Sequence, residues 1–179
     1  MFTGMNKRMK GMMGFAFAMC LAAGTSVAQA GEASTSASAG SNGRGPGTAS
    51  ATAAYNGDGR GFANTHTRSG NVNYGRGTAF GVDEDGVSFS VSQALAPRFG
   101  PAFASTFNIS VGFDGEVNSS HGSSVARGGR VREVNAGGFA GSNRLSGGSA
   151  GATAGGRTGS RGRVSVETKS TSNRSLFRR

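Results

Sequence analysis

The sequence predicts an all-β protein, with a small antiparallel β-sheet centre over about residues 77–134 and largely disordered Gly/Ser-rich flanks. In this centre, large apolar residues alternate with small polar ones, which is typical of half-buried strands. Pairs of an aspartate and a glycine separate the alternating runs, as they do in β-hairpins. No segment after residue 30 keeps a 3.6-residue apolar period, so we expect no helix there.

Residues 1–30 have the three parts of a cleavable secretory signal peptide: basic residues at 7–10, an apolar run at 12–23 and small residues at 28–30. The apolar run is shorter than the roughly 20 residues that a helix needs to cross a bilayer, which favours a cleaved signal over a retained anchor. We therefore expect an exported chain that begins near Gly31 and has no transmembrane segment. The periplasm, the cell surface and the medium all remain possible destinations.

The chain beyond residue 30 is poor in large apolar side chains. Phe, Val, Leu and Ile together supply 24 of its residues, about 16%, where globular chains rarely fall below roughly 20%. Every Met and the single Cys precede residue 31, so no disulfide can strengthen the fold. Thirteen of the 24 lie in residues 79–117, where we expect the packing to be concentrated.

Residues 31–76 are predicted to form a linker, because Ala, Ser, Thr and Gly dominate most of this stretch. A Gly-Arg-Gly triplet recurs here at 43–45, 59–61 and 75–77, with a constant spacing of 16 residues. Such spacing indicates either a structural repeat or chance recurrence in a chain rich in glycine and arginine. The residues between the triplets match poorly and leave both explanations open.

Two hairpins are predicted in the centre. The run 83–86 (Asp-Glu-Asp-Gly) separates a strand ending near Val82 from the alternating run 87–92. A second turn is expected at Asp114-Gly115, after a strand that begins at Phe103. Two prolines predict a loop over 93–102, and weaker strand patterns follow at 124–134 and 163–167.

The strand over 103–113 places its large residues on one face, namely Phe103, Phe107, Ile109, Val111 and Phe113. A sheet of three or four strands needs something to cover such a face. The flanking segments, a second copy of the chain or another partner can each do so, and exposed strand edges make self-association the simplest answer.

Charge is segregated along the chain. Residues 79–117 carry a net charge of −4, whereas residues 118–179 carry +9, nearly all of it from arginine. The arginine fork suits phosphate, sulfate and carboxylate groups. We therefore predict a polyanion-binding arm within residues 118–179, a basic region whose last part is the 135–179 tail. The arm is built from Arg127, Arg130, Arg132, Arg157, Arg161 and Arg163. Its expected partner is an anionic polymer such as polysaccharide, lipopolysaccharide or extracellular DNA. There are two alternatives: the tail is simply solvated, or it contacts the acidic centre of another copy.

The residues needed for ordinary catalysis are missing from the pattern. His66 and His121 have no neighbouring cysteine or carboxylate cluster, so no metal site is expected. The acidic run 83–86 lacks the spacing of a calcium loop and favours a hairpin turn. No nucleophile elbow or phosphate-binding loop is present. We expect no enzyme, no cofactor and no small-molecule substrate.

These observations favour a secreted or cell-surface structural or adhesive protein. It would self-associate through its β centre and bind an anionic matrix through its Arg-rich tail. The alternative is a soluble cationic glycine-rich protein that binds polyanions, or acts as an antimicrobial, without assembling.

Overall fold

The chain forms ten β-strands and no helix over the residues that the computed structural model describes, which are 31–43, 47–142 and 148–173. The predicted signal peptide, residues 1–30, lies outside this part. The strands are β1 (Glu32–Ser41), β2 (Thr48–Asn56), β3 (Arg60–Arg68), β4 (Val72–Val82), β5 (Gly86–Pro97), β6 (Ala102–Gly112), β7 (Val117–Arg127), β8 (Arg132–Gly141), β9 (Ser149–Thr158) and β10 (Arg163–Asn173). The predicted all-β class is confirmed.

The strands form two antiparallel sheets that stack face to face. One sheet has four strands in the order β2-β1-β8-β9, and the other has six in the order β10-β7-β6-β5-β4-β3. In the stack, β1 contacts β4 and β5, β8 contacts β5 and β6, and β9 contacts β7 and β10. The result is a β-sandwich in which the six-stranded sheet holds most of the predicted 77–134 centre, whose last residues begin β8 in the other sheet.

Both predicted hairpins are confirmed. β4 and β5 pair from Val82 and Val87 onward, and the amide of Asp83 donates to the carbonyl of Gly86 at 3.0 Å. Asp83 Oδ1 closes that turn by accepting the Gly86 amide at 3.0 Å. In the β6–β7 turn, Gly115 has a φ of +84°, a conformation that glycine adopts without the strain a side chain would bring.

The flanks differ from the prediction of largely disordered segments. Residues 31–76 contain β1, β2, β3 and the start of β4, and both β9 and β10 lie beyond residue 148. The reason is that small residues can also alternate with a period of two, as in the β1 sequence EASTSASAGS. Strands built from such small residues are missed when only large apolar residues are counted.

Three smaller expectations also change. β5 continues to Pro97, so the predicted 93–102 loop shrinks to 98–101. The predicted 124–134 strand is divided by a turn at Gly128 and Gly129, both with positive φ. The second and third Gly-Arg-Gly triplets occupy unlike places, since 59–61 spans the start of β3 whereas 75–77 lies in mid-β4. These two triplets are therefore not structurally equivalent. The first triplet, 43–45, lies mostly outside the described residues.

The two sheets meet through small side chains. On β5, Ser88, Ser90 and Ser92 are buried between the sheets, while the intervening Val87 and Phe89 point away from the second sheet. Most of the buried apolar residues are alanines, and the largest fully buried side chain is that of Val134. The sandwich thus reverses the usual arrangement, in which the large apolar side chains fill the core.

Hydrogen bonds connect several of the buried polar groups across the sandwich, although the Ser88 hydroxyl has no partner among the described residues. The Thr35 hydroxyl bonds to the hydroxyls of Ser90 and Ser92, each at 2.7 Å. Ser90 Oγ also donates to Asn108 Oδ1 at 2.6 Å, and Ser92 Oγ donates to Thr106 Oγ1 at 2.9 Å. Because buried polar groups are costly when left unpaired, this network makes a Ser/Thr/Asn core tolerable.

The small residues let the sheet backbones approach closely. A Cβ added to Gly77 would overlap the backbone oxygen of Thr52 in the opposite sheet. Tyr55, one of the few large residues turned inward, lies directly against Gly61 and Gly81. Even alanine at Gly77 would therefore force the sheets apart.

Candidate functional site

Large apolar side chains cover the outer surface of the six-stranded sheet, on the side away from the four-stranded sheet. We call this surface the apolar face. It is formed by Phe62, Tyr74, Phe80, Val82, Val87, Phe89, Val91, Leu95, Phe103, Phe107, Ile109, Val111, Val117 and Val125. Period-two alternation places all of them on one side because the small partners of each strand point inward.

Strand register aligns these residues into rows across the sheet. One row runs Val82, Val87, Val111 and Val117, and the next begins with Phe62 and Phe80, whose rings stack at 5.7 Å. Aromatic and β-branched cross-strand pairs of this kind stabilise a sheet.

One row across the apolar face is polar: it holds Arg76, Gln93, Ser105 and Ser123. Gln93 Nε2 donates to Ser105 Oγ at 3.2 Å within it. The polar row separates the row of Leu95 from the apolar rows on its other side.

The apolar face is accessible and large. Phe103 and Phe107 are 43% and 42% exposed, although they lie in the middle of a regular sheet. Strand spacings of about 4.8 Å and residue rises of about 3.4 Å give it a projected area of roughly 600 Å². The largest apolar patch on a monomer is typically about 300–600 Å², and such patches often mark interaction sites.

Acidic residues gather at one end of the sandwich, which we call the acidic end. Consecutive strands are antiparallel and joined by short turns, so alternate turns lie at the same end. Seven of the nine acidic residues of the chain lie there, in or beside the turns that precede β3, β5 and β7 or at the start of β1: Glu32, Asp58, Asp83, Glu84, Asp85, Asp114 and Glu116. Arg60 is the one cation at this end within the described ranges.

A cavity of about 200 Å³ opens at the acidic end between the β4–β5 and β6–β7 turns. Four carboxylates line it, those of Glu84, Asp85, Asp114 and Glu116, together with Phe113. The amide of Phe113 donates to the Asp85 carbonyl at 3.1 Å and so ties the two turns together.

Arginines gather at the opposite end, which we call the basic end. It holds the six predicted polyanion-binding residues Arg127, Arg130, Arg132, Arg157, Arg161 and Arg163, and also Arg68 and Arg98. Arg127 and Arg163 are direct cross-strand neighbours. Glu133 is the one acidic residue at this end in the described part of the chain. The predicted set is thus brought together, and all its members except Arg132 are exposed.

Arg132 differs from the other five predicted residues. Its side chain is only 8% exposed, and its guanidinium donates to the carbonyls of Arg98 at 2.7 Å, Gly129 at 3.3 Å and Pro97 at 3.4 Å. These bonds hold the β5–β6 turn against the β7–β8 turn. Arg132 therefore has a structural role, which sequence reasoning did not distinguish from an exposed basic site.

Comparison with protein-family models, curated proteins and solved structures finds no match to this chain. Function must therefore be inferred from the chemistry of the three surfaces: the apolar face, the acidic end and the basic end.

Metal-ligating groups do not converge in the described ranges, where no three His, Cys, Asp or Glu side chains are placed to share an ion. His66 and His121 are both exposed, and His66 lies 6.0 Å from the Tyr74 ring, centroid to centroid. No helix that is long and apolar enough to span a membrane occurs among residues 31–43, 47–142 and 148–173.

The environment of Tyr55 shifts the pKa of its phenol. Burial raises the pKa of the Tyr55 phenol, and the nearby negative charges of Asp83 and Asp58 raise it further. The backbone of Gly59 offsets only part of that rise, and the hydroxyl has no well-formed hydrogen bond to a described residue.

Sequence reasoning did not foresee the acidic end as a surface. The sequence shows that most acidic residues lie in turns. They form one surface only because alternate turns of the ten-stranded sandwich lie at the same end. Glu32 and Asp58 belong to a segment predicted to be a linker, so nothing local connected them with Asp83 or Asp114.

Proposed function

We propose that this chain is a secreted or cell-surface structural or adhesive protein. It self-associates through the apolar face and binds an anionic matrix through the basic end. The exposure of the apolar face carries this proposal, because the chain's own second sheet covers the opposite, small-residue side.

A second copy is the occupant that best fits the apolar face. The face is regular, and two copies related by a two-fold axis bring the same valine and phenylalanine rows together. Its projected area of roughly 600 Å² approaches the about 800 Å² of accessible surface that each partner buries in a standard interface. The polar row through Gln93 and Ser105 can fix the register of the two copies by hydrogen bonding.

Paired substitutions test this association. Phe103→Thr/Phe107→Thr removes two rings from the apolar face while keeping strand propensity. Phe99→Thr/Phe139→Thr makes the same chemical change outside the apolar face, at rings that are 76% and 38% exposed. Sedimentation at high salt should show that the first variant weakens self-association at least about tenfold, whereas the second does not.

A chain that is monomeric at every concentration would overturn the self-association and favour the alternative, a soluble cationic protein that binds polyanions or is antimicrobial. Equal weakening by both phenylalanine pairs would show general loss of apolar surface and not a defined face.

Binding of an anionic polymer is supported by the basic end, where at least five exposed arginines share one surface. Arg130→Gln/Arg161→Gln should weaken heparin and DNA binding and lower the salt dependence by about one logarithmic unit of slope per arginine. The matched control Arg76→Gln/Lys169→Gln removes two positive charges from mid-strand positions of the six-stranded sheet. Equal losses in both variants would indicate net charge alone, not the basic end.

A further inference from the structure

We infer that the two charged ends form a head-to-tail contact, in which the basic end of one copy binds the acidic end of the next. This inference deepens the proposed self-association but uses a different surface and rests on the charges, not on the apolar face. It gives rows of copies whose strands run along the row.

The separation of charge is the first observation. The described acidic end carries seven carboxylates against Arg60, and the described basic end carries eight arginines against Glu133. Strands of 9 to 12 residues set the ends about 30–40 Å apart. This exceeds the Debye length of about 8 Å at physiological salt, so the two ends act as separate surfaces.

The cavity at the acidic end is the second observation. Its volume of about 200 Å³, its four carboxylates and the exposed ring of Phe113 fit a guanidinium group. Arginine pairs with carboxylates through two parallel hydrogen bonds and stacks on aromatic rings. The cavity thus has the chemistry to receive an arginine side chain.

The basic end presents arginines in the matching form. Arg130 lies in the β7–β8 turn and Arg161 in the β9–β10 turn, and both side chains are exposed. The amide of Gly159 donates to the Val131 carbonyl at 2.9 Å, which holds the two turns side by side. Two arginines on neighbouring tips can therefore reach the acidic turns of another copy together.

The geometry of this contact does not close on itself. A contact between unlike surfaces at opposite ends is heterologous, and copies joined in this way form an open row. One basic end stays free at the end of each row, where an anionic polymer can bind, so the polymer and the next copy compete for the same surface.

A complementation experiment tests the contact. Glu84→Gln/Asp85→Asn inactivates the acidic end by removing two carboxylates. Neither carboxylate makes a hydrogen bond in the described turn network, whereas Asp83 does, so the turn should keep its fold. Arg130→Gln/Arg161→Gln inactivates the basic end without creating a charge that the altered acidic end could bind. Both are made in the Phe103→Thr/Phe107→Thr background, so that pairing through the apolar face does not contribute.

Each variant alone should be unable to elongate, with the end-to-end association constant lowered about tenfold or more at low salt. An equimolar mixture should form two-membered complexes and stop, since each complex has one intact joint and two inactive ends. Added salt should dissolve the complexes. Mixtures that stay monomeric, or single variants that elongate like the parent, would overturn the inference.

Two further measurements keep the contact distinct from other modes of assembly. Residues 174–179 contain three arginines and follow Asn173, the last residue of β10. A chain ending at Asn173 should elongate at least as well as the full chain. If it no longer elongates, then residues 174–179, and not the basic end, bind the acidic end of the next copy. In oriented rows, fibre diffraction should place the strand-spacing reflection of about 4.8 Å perpendicular to the row axis. The same reflection along the axis would mean edge-to-edge pairing of β3 with β10 and would refute the head-to-tail contact.

Discussion

Replacing a buried asparagine should cost more stability than replacing the phenylalanine beside it. Asn108 is fully buried between the sheets, whereas Phe107 on the same strand is 42% exposed on the apolar face. In most proteins the order would be the reverse, because phenylalanine-to-alanine changes in a core cost about 3–5 kcal/mol. The comparison therefore tests which face of the strand is the core.

The magnitude follows from the hydrogen bonds of Asn108. Its Oδ1 accepts from the Ser90 hydroxyl at 2.6 Å, and its Nδ2 donates to Ser120 Oγ and the Gly151 carbonyl, each at 3.0 Å. At about 1 kcal/mol for each bond, Asn108→Ala should lower the free energy of unfolding by about 3 kcal/mol. Phe107→Ala should cost about 1 kcal/mol or less, because much of the ring already contacts solvent.

Urea unfolding followed by circular dichroism measures both effects. With a slope of about 2 kcal/mol per molar urea, Asn108→Ala should lower the midpoint by about 1.5 M. The protein must be dilute and monomeric, since association of the folded state would add to the apparent stability. A larger loss for Phe107→Ala than for Asn108→Ala would refute the inverted core.

Three further predictions follow from the same structure. Arg132→Gln should lower the melting temperature, because it removes hydrogen bonds to the Arg98 and Gly129 carbonyls. Heparin affinity should stay nearly unchanged, and a reduced affinity in the folded variant would contradict the structural role of Arg132. Gly77→Ala should destabilise the sandwich by about 1–3 kcal/mol, because the added Cβ would overlap a backbone oxygen of the facing sheet. Thermal unfolding measures this, and an unchanged melting temperature would show that the sheets lie further apart. The raised pKa of Tyr55 means that the unfolded chain loses the phenolic proton first as the pH rises. Stability should therefore be retained below about pH 10 and fall as the pH rises through the raised value, whereas Tyr55→Phe should lose this dependence, and an unaltered alkaline profile in that variant would assign it to another group.

The sequence was sufficient to predict the two hairpins of the centre, although β5 runs further than expected and the expected 124–134 strand is divided between β7 and β8. Alternation and turn residues are local signals, and the pairing of Val82 with Val87 depends only on the turn between them. Within β6 the predicted faces were also correct: Phe103 and Phe107 share one side, and Ala104 and Thr106 share the other. Phe113 was predicted to share the first side but lies beyond the strand, in the β6–β7 turn.

The direction of the faces was not predictable in the same way. Alternation shows that two faces differ, but it does not show which one a second sheet will cover. That choice depends on β1, whose alanines and Thr35 fit against Ser90 and Ser92 across the sandwich. The partners are 55 and 57 residues apart in sequence, and no local pattern in either segment announces the pairing.

The inverted arrangement would join folding to the proposed assembly. Alanine and serine bury little apolar area, so the core of a single copy gains little from the hydrophobic effect and depends on close packing and satisfied hydrogen bonds. Most of the large apolar surface of the described residues stays on the apolar face, and the proposed pairing with a second copy would remove it from water. Association would then stabilise the folded state by mass action, and the protein would be most stable where it is most concentrated. A matrix that gathers copies at their basic ends would raise the local concentration and favour pairing of the apolar faces.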